Sequence, residues 1–230
     1  MALSIPHLKD LFSSTSEIKF DPPISLSNGG RLIKFPTPHL FKVPSLVTPF
    51  GLSSWEGKKY SIDLSLNPEN PDAVALKKAM EDFENVLIEK GFNDRTWLKQ
   101  KFKSAESVAE LFASPIKYPK IKDPVTGAIN VNEKYAPTLK IQVPYSEKHG
   151  FECDAYDHNK KCMVISDKTV PQGSTISAIV QITGIWIAGN KFGPTLKVVQ
   201  MKVQPNPNQR LEGCAFVDDS DDDVEPEVQV

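Results

Sequence analysis

Alternation of apolar and polar side chains predicts several short strands. In the stretch KKYSIDLSL (58–66) the apolar positions fall on one face and the polar positions on the other. The apolar face holds Tyr60, Ile62, Leu64 and Leu66, and the polar face holds Ser61, Asp63 and Ser65. A period of two residues is typical of a strand with one buried face. Similar runs at 31–35, 39–43 and 138–143 predict further strands.

A helical period replaces this alternation between residues 70 and 113. Asn70 can cap a helix, Pro71 fits its first turn, and Gly91 can end it. The apolar stripe of this helix comprises Val74, Leu76, Met80, Phe83, Leu87 and Ile88. Two shorter helices are predicted over 93–102 and 104–113.

Strand patterns return after residue 116 and continue to residue 203. Two hairpins are predicted there, one around the polar turn 157–160 and one joining STISAIVQITGIWIA to TLKVVQMKV. We therefore expect a mainly β fold with an inserted helical block (α+β), built as an OB-like small β-barrel. The predicted organisation is a flexible N-terminal segment at 1–28, a single OB-like domain at 29–217 and a disordered acidic tail at 218–230. The helical insertion falls at about 70–113 within the OB-like domain.

Charge is distributed unevenly along the 230 residues. The net charge is −2, but seven of the 29 acidic residues lie in 218–230, where no basic residue occurs. Residues 1–217 therefore carry 27 basic and 22 acidic side chains, a net charge of +5. A basic body can attract polyanions, and an acidic tail can compete with them.

The sequence lacks the common signatures of catalysis. It contains no P-loop, GxGxxG, HExxH or GxSxG motif. We predict a protein that is not an enzyme, with no catalytic residue, no cofactor and no bound metal. One alternative is a zinc site at Cys153, His158 and Cys162, with Cys214 as a further ligand, although small zinc sites usually contain close cysteine pairs. The other interpretation is that these are free thiols beside a turn histidine.

The expected location follows from the lack of targeting and membrane-spanning segments in the sequence. No secretory leader is recognisable at the N-terminus, and no run approaches the roughly 20 apolar residues of a membrane span. An odd number of cysteines, three, is typical of a reducing compartment. We expect an intracellular protein without membrane contact.

Lysines and aromatic residues alternate repeatedly after residue 116. Single-stranded nucleic acid needs cations along its phosphates and flat side chains on which unpaired bases stack. The predicted single-stranded DNA-binding residues are Lys117, Tyr118, Lys120, Lys122, Tyr135, Lys140, Trp186, Lys191, Phe192 and Lys197. The alternative for each is ordinary: tyrosines beside prolines pack locally, and strand lysines are solvated. Phe192, expected in a turn, is the preferred stacking residue, whereas Trp186 shares parity with a core-facing row from Ile176 to Ile182.

Two segments resemble a known family. QITGIWIAGNKFGPTLKVVQMKV followed by LEGCAFVDDSDDD, and LFASPIKYPKIKDPVTGAINVNEKYAPTLKIQVP, resemble the single-stranded DNA-binding proteins of nucleocytoplasmic large DNA viruses. The layout is similar to that of the podophage single-stranded DNA-binding protein. The resemblance covers roughly residues 95–223. It implies an OB-like barrel, an acidic C-terminus and a role in viral genome replication, recombination or repair, in the host cytoplasm (viral factory) or host nucleus.

The sequence thus predicts sequence-independent binding of single-stranded DNA. The acidic tail would compete for the groove and recruit viral replication proteins, through Asp218, Asp219, Asp221, Asp222 and Asp223. Self-association into a homo-oligomer stays open. The alternatives are a virion or scaffold protein whose aromatic residues pack on protein partners, and a viral transcription factor that prefers particular duplex sequences.

Overall fold

The computed structural model describes residues 5–11, 18–124 and 126–206. The helices are α1 (Leu8–Leu11), α2 (Pro71–Asn93), α3 (Arg95–Leu98) and α4 (Ala105–Ala109). The strands are β1 (Ile24–Ser25), β2 (Arg31–Ile33), β3 (His39–Val47), β4 (Leu52–Trp55), β5 (Lys59–Ser65), β6 (Ile116–Lys117), β7 (Lys120–Lys122), β8 (Ile129–Val131), β9 (Thr138–Val143), β10 (Tyr145–Ser146), β11 (Gly150–Phe151), β12 (Asp154–Tyr156), β13 (Thr175–Ala188) and β14 (Lys191–Gln204). The predicted mainly β fold with an inserted helical block is confirmed.

Five strands form the barrel. β3 pairs with β13, β13 with β14, β14 with β9, and β9 with β5, and β5 lies next to β3. The order around the barrel is β3, β13, β14, β9 and β5. In the chain these are the first, fourth, fifth, third and second of the five barrel strands. Among the five, β9 and β14 run parallel and the other paired neighbours run antiparallel. This Greek-key arrangement is that of an OB barrel, as predicted.

The helix α2 packs one face on the barrel and joins its second and third strands. The Asn70 side chain accepts hydrogen bonds from the backbone nitrogens of Asp72 (2.9 Å) and Ala73 (3.3 Å), which caps the first turn as expected. The helix continues two residues beyond Gly91, so the prediction that Gly91 ends it is wrong. A side chain there would crowd the Phe192 ring, because a Cβ atom would lie 3.3 Å from the ring's Cζ. Val74 is also exposed rather than part of the buried stripe.

An irregularity in β13 decides which of its residues face the core. The register with β14 shifts between Ile182 and Gly184, which leaves Thr183 as an extra residue. Every later side chain therefore points to the opposite face from the one its parity suggests: Ile185 and Ile187 are buried. Trp186 is half-buried on the outer face and lies opposite Leu32 of β2. The hypothesis that Trp186 continues the core-facing row is wrong for this reason.

The region around residues 145–166 pairs differently from the prediction. β12 forms a parallel ladder with β14, and residues 161–166 contribute only a single antiparallel bridge to it, between Tyr156 and Cys162. The turn itself is present, since Lys160 N donates to Asp157 O over 3.0 Å. Backbone hydrogen bonds from Asp157 N to Lys161 O and from Met163 N to Ala155 O, both 2.9 Å, flank the Tyr156–Cys162 bridge. The predicted hairpin therefore forms as a short one, and β12 pairs with β14 in addition.

The N-terminal part of the chain contributes to the core. Leu8 of α1 is 2% exposed, and β1 pairs with β2 beside the β13–β14 tip. The proposed boundaries at 28 and 217 stay predictions, and the acidic tail lies outside the described residues. Among residues 5–11, 18–124 and 126–206, the structure contains no helix long and apolar enough to cross a membrane.

Candidate nucleic-acid interface

A groove with a volume of about 460 Å³ crosses the outer face of β4, β5, β9 and β14. Its lining includes four lysines, Lys58, Lys59, Lys140 and Lys197, and one carboxylate, Glu152. We call this surface the lysine groove. In OB folds the face formed by the second and third strands is a common binding site for oligonucleotides, and here those strands are β5 and β9.

Strand alternation places the polar side chains of the lysine groove outside the barrel. Ser61 of β5 lies opposite Gln142 of β9, and Gln142 lies opposite Lys197 of β14, so the three form one row across the sheet. The intervening residues Ile62 and Ile141 are fully buried. Because the barrel interior is filled by aliphatic side chains, the lysines of these strands project outward. Asp63 of β5 is the exception among the charged residues, since it is 7% exposed and accepts a 3.4 Å hydrogen bond from Thr138 Oγ1.

The tight turn between β4 and β5 presents an exposed tryptophan at the edge of the groove. Glu56 and Gly57 both have positive φ angles, of 53° and 65°, as a primed hairpin turn requires. The turn is closed by a 3.1 Å hydrogen bond from Lys58 N to Trp55 O. Trp55 pairs with Lys59 and is 68% exposed, so a large ring and a cation stand side by side.

Three further rings pack edge to face near the groove. The centroid of Tyr60 is 4.8 Å from that of Tyr145 and 4.8 Å from that of Phe151, and Tyr145 and Phe151 are 5.1 Å apart. Tyr60 and Tyr145 both line the groove and are half-buried. Their mutual packing fixes ring orientation, which lowers the entropy cost of binding a flat partner.

Ion pairs neutralise part of the positive charge. Lys58 Nζ lies 3.3 Å from a Glu147 oxygen, and Lys140 Nζ lies 3.8 Å from an Asp63 oxygen. Within the part of the chain that is described, Lys59 and Lys197 have no carboxylate within 4.0 Å. These two cations are therefore available to an anionic ligand.

The half-buried carboxylate of Glu84 and the exposed ammonium of Lys117 both hydrogen-bond to Ser114, next to the strand β9 that lines the groove. Burial lowers the pKa of Lys117, and the positive charge of Lys140 lowers it further. Burial raises the pKa of Glu84, although Ser114 Oγ donates a 2.6 Å hydrogen bond to this carboxylate. The Lys117 ammonium donates to Ser114 O over 2.5 Å.

The predicted binding residues fall into three places. Lys140 and Lys197 line the lysine groove, and Lys117 lies beside it because β6 pairs with β9. Four others, Tyr118, Lys120, Lys122 and Tyr135, lie exposed on or next to the β7–β8 hairpin, which forms a separate two-stranded sheet. The remaining three, Trp186, Lys191 and Phe192, lie at the tip of β13 and β14.

At the tip of β13 and β14, Phe192 is not placed where it could stack on a base. Phe192 belongs to β14 rather than the turn, and it is 0% exposed. Its backbone pairs with the segment around Phe112, whose ring centroid is 5.2 Å from that of Phe192. The prediction that Phe192 stacks on a base is wrong, because a ring sealed by protein cannot meet a base. Lys191 is exposed and donates to Glu110 O over 2.7 Å.

Sequence reasoning missed several groove residues. Trp55, Lys58, Lys59, Tyr60 and Tyr145 were not among the predicted binding residues, although all line the groove. The segment SSWEGKKY contains a usable signal: an aromatic residue directly before a glycine turn, with two lysines after it. The β13–β14 tip shows a related combination, with Trp186 before the Gly189 turn and Lys191 after it.

The two described cysteines, Cys153 and Cys162, do not belong to a cluster of metal-binding side chains among the described residues. Cys153 is partly buried, and burial raises the pKa of its thiol to about 11, whereas Cys162 is exposed. No three His, Cys, Asp or Glu residues of the described chain come together as metal ligands. Cys214 and the five tail aspartates lie outside the described residues.

Comparison with known proteins gives one family match and several similar structures. Residues 95–218 match the model of a family of unknown function (DUF5871). No curated protein sequence matches the chain.

The single-stranded DNA-binding protein of bacteriophage Enc34 in complex with ssDNA is 12% identical, with a TM-score of 0.46, over 82% of this chain and 96% of that one. A second structure of the same phage protein is 14% identical, with a TM-score of 0.42, over 84% of this chain and 96% of that one. The single-stranded DNA-binding protein gp2.5 of bacteriophage T7 is 11% identical, with a TM-score of 0.43, over 76% and 98%.

Replacing Glu84 tests the effect of burial on the pKa of its carboxyl. A carboxyl whose pKa is raised on folding stabilises the folded state below its ordinary pKa of 4.5 and loses that contribution as pH rises through the folded pKa. Glu84→Gln stays neutral and can still accept the Ser114 hydrogen bond. Relative to wild type, its free energy of unfolding should therefore increase between about pH 4 and about pH 7.

Urea unfolding across that pH range measures this difference. Glu89→Gln, at an exposed position on the same helix, controls for the charge removed from α2. A stability difference between Glu84→Gln and wild type that stays constant or shrinks as pH rises would contradict the assignment.

Proposed function

The chain belongs to the DUF5871 family of unknown function, and we propose that it binds single-stranded nucleic acid, without sequence preference, in the lysine groove. The observation that carries this proposal is the groove itself. It combines two lysines that have no carboxylate partner among the described residues, Lys59 and Lys197, with an exposed indole and two oriented phenol rings on one face of an OB barrel. The binding is non-catalytic, and it needs neither a metal nor a cofactor.

The cations supply affinity that does not depend on sequence. Each lysine that neutralises a phosphate releases a condensed counterion, so binding weakens as salt is added. Lys59 and Lys197 project from different strands on opposite sides of Lys140, so they can follow a backbone that crosses the sheet. The lining carries hydroxyl and amide groups at Ser61 and Gln142, which can contact sugar and phosphate oxygens.

The rings favour a single strand over a duplex. Trp55 projects from a turn and has most of its surface in water, so its face can accept a base. Within a duplex both faces of each base are covered by neighbouring bases, and a protruding indole has no face to contact. Stacking is sequence-tolerant because every base offers a π-face.

The proposal also covers the identity of the ligand, the viral role of the protein and the function of its acidic tail. We propose single-stranded DNA as the ligand, and a role in the replication, recombination or repair of a viral genome within the host cell, in line with the resemblance to proteins of nucleocytoplasmic large DNA viruses. Residues 218–230 carry seven acids and no base, so they can compete electrostatically for the groove and can recruit viral replication proteins when displaced. A flexible tether would give such a segment a millimolar effective concentration.

Two other functions make different predictions. A virion or scaffold protein would use the exposed Tyr118 and Tyr135 to contact protein, and it would form a stable assembly without salt-dependent binding of oligonucleotides. A transcription factor would prefer particular duplex sequences. Competition between single-stranded and duplex DNA for the same protein separates both from the proposed function.

The lysines of the groove should control the salt dependence of binding. Replacing Lys59, Lys140 and Lys197 together by glutamine should reduce the slope of log K against log[salt] for oligo-dT by about 2, since each phosphate contact of a single strand contributes about 0.7. Fluorescence anisotropy at several salt concentrations measures this slope. The matched control replaces Lys78, Lys101 and Lys103, which are exposed outside the groove. Equal slopes for the two triple variants would refute the assignment.

Trp55 should contribute a stacking interaction. Trp55→Leu keeps an apolar side chain and removes the indole, so affinity for oligo-dT should fall about 5- to 150-fold, which corresponds to about 1–3 kcal/mol per stacked base. The control is Phe50→Leu, because Phe50 is 62% exposed but does not line the groove. The role of Trp55 is excluded if both variants bind like wild type in the same anisotropy titration.

The acidic tail should weaken binding. Removing residues 218–230 should tighten the binding of oligo-dT, and the gain should diminish as salt is added because the competition is electrostatic. Titrations of full-length and truncated protein at low and high salt measure both effects. Unchanged affinity at low salt would reject competition by the tail.

A further inference from the structure

A second groove lies on the barrel, away from the lysine groove. Its volume is about 610 Å³, and it is formed on the outer face where β3, β13, β14 and β12 meet. Ile179 of β13 and Gln200 of β14 form a cross-strand pair in its lining. We call it the second groove.

Cations from three separate elements line the second groove. Lys42 comes from β3, Lys160 from the turn after β12, and Lys202 from β14. His7 joins them, and none of the described residues in its lining carries a carboxylate. All three lysines are exposed, so an anionic ligand is the chemical complement of this surface.

An aromatic ring accompanies these cations. Tyr156 lines the groove, is half-buried, and lies opposite Lys202 in the parallel ladder between β12 and β14. The second groove therefore repeats the combination of ring and lysine that Trp55 and Lys59 form in the first. An anion alone would need only the cations, whereas a nucleotide also uses the ring.

The two grooves are connected through one strand. Lys197 in the lysine groove and Lys202 in the second groove both project from the outer face of β14, and five residues of strand span about 17 Å. The edge of β14 that pairs with β9 at Lys197 pairs with β12 at Lys202. Val199 is an extra residue of β14 between Lys197 and Lys202, because the register with β13 shifts there. Val198 before the shift is buried, and Gln200 after it lies on the outer face.

We infer that the second groove is a further subsite for the same nucleic-acid strand, which crosses β14 from the lysine groove and places a base against Tyr156. This inference rests on the proposed function and extends it. It assigns Lys42 and Lys202 to phosphate contacts, and it predicts that the full binding site is longer than the lysine groove alone. An OB fold contacts about 4–16 nucleotides, so a strand that occupies both grooves falls within the known range.

Oligonucleotides of two lengths distinguish binding in the lysine groove alone from binding in both grooves. Anisotropy titrations would use full-length protein with oligo-dT of about 5 and about 15 nucleotides, lengths near the two ends of that range. The variants are Lys42→Gln with Lys202→Gln, and Tyr156→Leu. Lys160 is left in place because its φ of 64° ties it to the turn conformation. Lys78→Gln with Lys103→Gln, both exposed outside the two grooves, is the matched control.

The expected result is selective. For the long oligonucleotide the double lysine variant should lower the slope of log K against log[salt] by about 1.4, and Tyr156→Leu should weaken binding about 5- to 150-fold. Binding of the short oligonucleotide should stay as in wild type. Changes in Lys140 and Lys197 should weaken binding of both lengths.

Three results would overturn the inference. If the long oligonucleotide binds these variants like wild type while changes in the lysine groove still weaken it, the second groove is not a subsite and the proposed function stands. If the variants act only when residues 218–230 are present, the second groove holds the acidic segment instead. If the protein that lacks residues 218–230 but is otherwise unchanged binds neither oligonucleotide at low salt, the proposed function itself fails.

Discussion

The antiparallel pairing of β13 with β14 is the constraint on which the rest of the structure depends. β14 pairs along one edge with β13 and along the other with β9 and then β12. It therefore contributes side chains to both the lysine groove and the second groove. Its inward residues, among them Leu196 and Val198, are almost completely buried. Burial of such side chains contributes about 1.5–3 kcal/mol each. The same alternation, interrupted by the register shift near Val199, leaves Lys197 and Lys202 outside, which places one cation of β14 in each groove.

A filled barrel explains why binding chemistry collects on its surface. The interior has no room for a ligand, because side chains such as Ile62 and Ile141 are fully buried there. Lysines gathered on one face repel one another, and the ion pairs Lys58–Glu147 and Lys140–Asp63 offset only part of this repulsion. The proposed binding of a polyanion would remove the remaining repulsion, so that charge clustering that is unfavourable for the free protein would become favourable in the complex.

The sequence predicted local features and failed at non-local ones. The strand Thr138–Val143 and the cap at Asn70 follow from alternation and helix-end chemistry within a few residues, and both occur as expected. The burial of Phe192 depends on Leu111 and Ala113, whose backbone groups hydrogen-bond to it from about 80 positions away. The outward orientation of Trp186 depends on one extra residue in β13 that periodicity does not reveal. Trp55 was not predicted although SSWEGKKY places Lys58 and Lys59 near it in the sequence; what periodicity does not reveal is that β9 and β14 bring Lys140 and Lys197 to the same groove.

Photocrosslinking locates the bound strand directly. Full-length protein would be irradiated with an oligo-dT that carries a photoreactive pyrimidine at a single position, and the attached residues would be identified by mass spectrometry of the digested complex. Our account predicts attachment to Trp55, Tyr60 or Tyr145 in the lysine groove. Attachment confined to Tyr118 and Tyr135 would contradict it, because those rings lie next to the separate β7–β8 hairpin and do not line the groove.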